Sequence, residues 1–143
     1  MELITVGDPV KPQPPQEIIY GQIVAKANNY IAVPDKATGG RRIIKSDKIR
    51  AYEKSFAQQC KVYKGKQINT HFDLIVEVYY KNLNYDLDNS LKTLLDCLQY
   101  VGAITDDKLC RRIVAQKFYD PHRPRVEFDI IADDPQPTLF DDL

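Results

Sequence analysis

The spacing of apolar side chains along the chain changes period several times, and each change predicts an element. Ile18 to Val24 (IIYGQIV) and Tyr30 to Val33 are short runs rich in β-branched and aromatic residues, the composition of strands, separated by a polar turn at Ala27, Asn28 and Asn29. Gly39 and Gly40 mark a flexible loop. Ser46 stands where a helix cap is needed, and Ile49, Tyr52, Phe56 and Cys60 recur on one face, predicting a helix to about Val62. His71 to Tyr80 (HFDLIVEVYY) alternates as a half-buried strand does. A second helix is predicted with Asp88 as its cap, Leu91, Leu94, Leu95 and Leu98 as its apolar stripe, Lys92 and Asp96 on its polar face, and its end near Gly102. Leu109 to Tyr119 and Arg125 to Ile131 read as strands, predicted to pair as a hairpin around Asp120 and Pro121.

The two ends differ from this middle. Pro9, Pro12, Pro14 and Pro15 forbid a helix, so residues 1–17 are expected to form an extended arm, 18–132 the folded domain and 133–143 a disordered acidic tail. A chain of 143 residues has room for one ordinary core, and no internal repeat divides it. No apolar run is long enough to span a bilayer, and the first residues lack the basic and apolar segments of a secretory signal. The expectation is a soluble intracellular protein with no membrane partner. Cys60, Cys97 and Cys110 form no CxxC pair and are odd in number, which fits inert thiols in a reducing cytosol.

Lys and Arg total 20 and so do Asp and Glu, but the charges are segregated. Lys36, Arg41, Arg42, Lys45, Lys48, Arg50, Lys54, Lys61, Lys64 and Lys66 face only Asp35, Asp47 and Glu53 in the stretch from Asp35 to Gln67. That excess predicts a phosphate-contacting surface, with Lys36, Arg41, Arg42, Lys45, Lys48 and Arg50 as its candidates; a solvated basic face is the plainer reading. No base follows Arg125, while Glu127, Asp129, Asp133, Asp134, Asp141 and Asp142 accumulate, so the tail would be repelled by DNA.

The chemistry concentrates in Tyr85-Asp86-Leu87-Asp88-Asn89-Ser90-Leu91-Lys92, followed by Asp96, Gly102 and the pair Asp106-Asp107. In extended chain, residues two apart point the same way, so Asp86 and Asp88 can converge on one cation. The loop after the helix could return Asp107 or Asp106 beside them. Carboxylates without a nearby histidine or cysteine make a hard oxygen site suited to Mg2+, with Mn2+ a possible substitute. Lys92 lies one helical turn beyond Asp88. A plain cap at Asp88 and turn residues at Asp106 and Asp107 would use the same letters. An EF-hand is disfavoured, because Leu91 stands where its loop needs glycine and Cys97 where it needs a bidentate glutamate.

The run DLDNSLKTLLDCLQYVGAITDD resembles the signature of the RusA family of Holliday junction resolvases, in which DxDN-x-x-K, a later aspartate, a glycine and a DD pair recur at this spacing. More weakly, Gly21, Lys26-Ala27-Asn28-Asn29-Tyr30 and the Lys45-Ser46 helix start with Tyr52 are similar to the family's first half, so the resemblance runs from about Ile18 to Ile131. It implies a single α+β domain, a mixed β-sheet packed by helices, acting as a homodimer. It also implies an Mg2+-dependent endodeoxyribonuclease that resolves four-way junctions by paired symmetric nicks in recombination and repair, in the cytoplasm, on a bacterial or prophage gene. Asp86, Asp88 and Asp107 would be the metal ligands, with Lys92 assisting at the scissile phosphate.

In the tail, Gln136-Pro137-Thr138-Leu139-Phe140 resembles the peptide by which bacterial replication and repair proteins dock on the sliding clamp, with Gln136, Leu139 and Phe140 as anchors and Pro137 where leucine is usual. The competing reading of the whole chain is a non-cleaving branched-DNA-binding protein recruited to replication forks. A transferase using DxD to hold a nucleotide diphosphate lacks a glycine-rich phosphate loop here. His71 and His122 enter none of these mechanisms.

Overall fold

Why the central strand is central follows from its side chains. In the computed structural model, which describes residues 14–25 and 30–134, β4 (Phe72–Tyr80) buries Phe72, Leu74, Val76, Val78 and Tyr80 on one face, and Ile75 on the other. A strand this apolar needs neighbours on both edges. It has β5 (Cys110–Tyr119) parallel on one side and β6 (Arg125–Ala132) antiparallel on the other, with β1 (Glu17–Tyr20) outside β6. Two helices, α1 (Asp47–Gln59) and α2 (Leu87–Tyr100), bring Tyr52, Phe56, Leu94, Cys97 and Leu98 onto the inner face, beside Val126, Phe128 and Ile130 of β6. The protein is one small α+β domain with a mixed sheet, as expected.

The hairpin expected between the last two strands is not there. β4 lies between β5 and β6. The turn residues do reverse the chain, since Asp120 Oδ1 accepts from the backbone N–H groups of His122 (3.2 Å) and Arg123 (3.1 Å). But the Asp120 N–H donates to Tyr80 O at 2.8 Å, so the turn arches over the end of β4. Turn chemistry signals reversal; it carries no information about a strand inserted beneath.

Three further boundaries move. The first strand stops at Tyr20 because Gly21 takes φ +110, and it pairs with β6 rather than with the next strand. The expected loop around Gly39 and Gly40 is the tip of a separate two-stranded ribbon, β2 (Tyr30–Pro34) with β3 (Arg41–Lys45). Finally, α1 ends at Gln59, short of Val62, because the buried Glu17 carboxylate accepts from the N–H groups of Lys61 (2.8 Å), Val62 (2.6 Å) and Tyr63 (3.2 Å) and turns the chain. The Cys60 thiol donates to the same oxygen, and burial together with that carboxylate pushes its pKa up to about 12, so it is unreactive. Among the described residues no helix is long and apolar enough to cross a membrane. The arm to residue 13, the Ala27 to Asn29 turn and the tail with Gln136, Leu139 and Phe140 lie outside the described residues.

Candidate metal centre

Asp86 and Asp88 stand where β4, through a short loop, gives way to α2. The cap is Asp86, with extended φ −85 and ψ 126, and Asp88, expected to be the cap, falls in the first helical turn, two positions inside it. The Asp86 carboxylate makes no side-chain cap bond; it accepts from Asn89 Nδ2 at 3.3 Å. Both carboxylates are exposed, and Asp86 lines a cleft of about 300 Å³ with Ala25, Asn82, Asn84, Tyr85 and Asn89. Helix N-terminal N–H groups favour anions here, which eases the proximity of two negative charges. Their shared field is felt by one neighbour: the Tyr80 phenol has its pKa raised, first by burial and further by Asp86 and Asp88, against the lowering bond to Ser90.

The approach to Asp86 is tied at several points. The Tyr80 hydroxyl donates to Ser90 Oγ at 2.7 Å, and Ser90 Oγ donates to Asp86 O at 3.1 Å. The Tyr85 ring stacks on Tyr80 at 5.4 Å. From β5, Lys117 Nζ donates to the carbonyls of Leu83 (3.2 Å) and Tyr85 (3.0 Å). None of these ties was singled out from the sequence. The available signals were a serine at a buried helix position and a lysine on a strand where the core alternation asks for an apolar residue.

Lys92 is exposed on α2, one turn beyond Asp88. Asp107 is elsewhere. Its backbone N–H donates to Gln99 Oε1 at 3.2 Å, which places it by the last turn of α2, in the 3-10 turn Asp107–Leu109. A 14-residue helix is about 20 Å long, so Asp107 sits at the opposite end from Asp86 and Asp88. The expected return of the loop to the first pair therefore does not occur within one chain, and among the described residues no three His, Cys, Asp or Glu side chains gather as a metal site. The reason is topological. β5 runs parallel to β4, so the chain must travel to the far end before β5 begins, and the strand makes the return journey. Asp106 caps that turn, accepting from the Lys108 N–H at 3.0 Å, and this bond chiefly holds its carboxyl below the usual range.

The basic residues divide too. Lys36, Arg41 and Arg42 are exposed on the β2–β3 ribbon, and Lys48 and Arg50 are exposed on α1. Lys45 turns inward, its ammonium 2.9 Å from the Glu53 carboxylate, which is 7% exposed. A buried carboxylate needs that partner, so Lys45 serves the fold first.

The donor chemistry at Asp86 and Asp88 fits a hard divalent cation in kind, and one chain supplies two of the three expected carboxylates at that place. No curated protein matches the chain. A family model described as Endodeoxyribonuclease RusA matches residues 21–131. That span opens at the glycine ending β1 and closes within β6, taking in the basic ribbon, both helices and the acidic strand-to-helix junction, and by it the chain belongs to the RusA family of endodeoxyribonucleases.

Proposed function

We propose that the protein is a homodimeric, Mg2+-dependent resolvase that cuts four-way DNA junctions by paired symmetric nicks in recombination and repair, with Mn2+ able to replace Mg2+. The carrying observation is the exposed pair Asp86 and Asp88 at a tied strand-to-helix junction, in a chain of a nuclease family. In this reading the third carboxylate, Asp107, comes from a second copy, because α2 separates it from the pair in its own chain. A two-fold dimer forms two such sites and matches the symmetry of its substrate. A bound divalent cation supplies an activated water and offsets charge on the phosphoryl group. Asp86 and Asp88 hold that cation, Lys92 reaches the scissile phosphate, and Lys36, Arg41, Arg42, Lys48 and Arg50 hold backbone phosphates away from it.

The protein would work in a bacterial cytoplasm, on a chromosomal or prophage gene, with Gln136, Leu139 and Phe140 docking on the sliding clamp. Deleting residues 136–143 is expected to abolish clamp binding and leave cleavage unchanged; clamp binding by the truncated protein would refute the docking. That no third carboxylate joins Asp86 and Asp88 among the described residues is what favours the second reading, a branched-DNA binder that does not cut. The variant Asp88→Asn separates the two. It should lose cleavage by at least about a thousandfold while binding junctions normally, and cleavage at the wild-type rate would sink the assignment.

A further inference from the structure

The loop that delivers Asp86 is held by a lysine that the proposed chemistry does not use. Lys117 lies on β5 opposite Val78, on the sheet face that carries the core, and it is half-buried. An apolar side chain at this inward position would avoid the cost of desolvating an ammonium, which is substantial unless its donors are matched. Two of the three donors are matched by specific acceptors, Leu83 O at 3.2 Å and Tyr85 O at 3.0 Å, and the amine lies 5.9 Å from the Tyr80 ring centroid. Both carbonyls fall in the three residues before Asp86. On the other side, the Ser90 hydroxyl holds the carbonyl of Asp86 itself. Asp86 therefore enters α2 between two fixed points, one from β5 and one from α2, and the Tyr80–Tyr85 stack adds a third contact.

We propose that Lys117 is a positioning residue for the metal centre, pinning the Leu83 and Tyr85 carbonyls so that the Asp86 carboxylate is preset toward the cation. The inference rests on the metal reading above. Its charge acts the other way, since an ammonium behind the loop repels an arriving cation, so a weaker affinity on its removal would report the two carbonyl bonds. Residues that orient a ligand from outside the coordination shell weaken metal binding by about 10–100-fold when removed. Lys117→Met keeps the length of the side chain and removes both bonds and the charge. Lys117→Gln keeps one donor group.

The test titrates full-length wild type, Lys117→Met and Lys117→Gln with Mn2+ alone, following unbound Mn2+ by electron paramagnetic resonance. Thermal melts and four-way-junction binding in EDTA are measured beside it. Expected is an Mn2+ affinity at least about tenfold weaker in the Met variant, with metal-free junction binding unchanged and cleavage recovered toward wild type as Mg2+ is raised. Wild-type Mn2+ affinity in a folded Lys117→Met protein overturns the proposal, as does a loss of junction binding in EDTA equal to the loss of metal binding, which marks a general structural role. If the Met variant does not fold, the Gln variant decides by the same comparison. A wild-type protein that binds no Mn2+ overturns the metal reading itself and this inference with it.

Discussion

The two ends of α2 carry similar letters and opposite electrostatics. At the far end, acids are answered by bases. Arg111 makes a bidentate pair with Asp133 at 2.8 and 2.9 Å and lies 3.4 Å from Asp73, Arg112 approaches Asp73 at 3.9 Å, and Lys108 approaches Asp106 at 3.6 Å. At the near end, among the described residues, Asp86 accepts only an amide from Asn89 and Asp88 has no pair. An uncompensated pair of carboxylates adds little to the fold and much to the attraction for a cation, whereas a compensated cluster does the reverse. Counting acids in DLDN and in TDD cannot tell these cases apart. Asp107 stands at the border of the compensated cluster, exposed, which suits a side chain that serves a second copy.

The strongest way to sharpen this contrast is complementation. Asp86→Asn and Asp107→Asn should each be inactive alone, and co-refolded mixtures should regain cleavage from zero as single, unpaired nicks, since one of the two sites in a mixed dimer is intact. No recovery from demonstrably mixed dimers would place both residues in a site within one chain. Next in size, Lys92→Ala is expected to slow cleavage by about 10²–10³-fold with junction affinity little changed; a variant as fast as wild type would remove Lys92 from the mechanism.

The ends should also differ in stability. Asp73, whose side chain is 17% exposed, is expected to cost about 0.5–1 kcal/mol when changed to Asn, since its arginine partners at 3.4 and 3.9 Å are half exposed and screened by solvent. Asp88→Asn should shift the denaturation midpoint by less than about 0.5 kcal/mol, as surface changes do. Equal losses would erase the distinction. The smallest effect is on pH. Arg111 holds the Asp133 carboxyl below its ordinary value, and the Lys108 N–H does so for Asp106. Depressed carboxyl pKa values contribute stability that is present above the unfolded value near 3.9 and lost as pH falls through the folded one. Melting temperature should therefore drop on acidification below about pH 4, less steeply in Asp133→Asn.

Much of this was legible because hydrophobic period survives folding. β4, α2, β5 and β6 fall within a residue or two of their expected spans, and Asp86 and Asp88 fall at the same strand-to-helix junction. The losses have specific causes. β3 was hidden because Arg41 and Arg42 do not look like strand residues, and the ribbon they form stands outside the main sheet. The α1 terminus was set by Glu17, whose bonds to residues 61–63 span more than forty positions in sequence. The position of Asp107 depended on β5 being parallel to β4, a pairing choice invisible in either strand alone. Lys117 carried a readable signal, a lysine on the core side of a strand, with nothing local to say which carbonyls it would meet.

The most direct measurement is strand-specific cleavage of a synthetic four-way junction beside linear duplex, with Mg2+ and then with EDTA. Paired nicks at symmetric positions on the junction alone, present with Mg2+ and absent with EDTA, are the expected result. Tight junction binding with no cleavage in either condition would contradict the account and leave a protein that keeps the fold of a nuclease and only binds branched DNA.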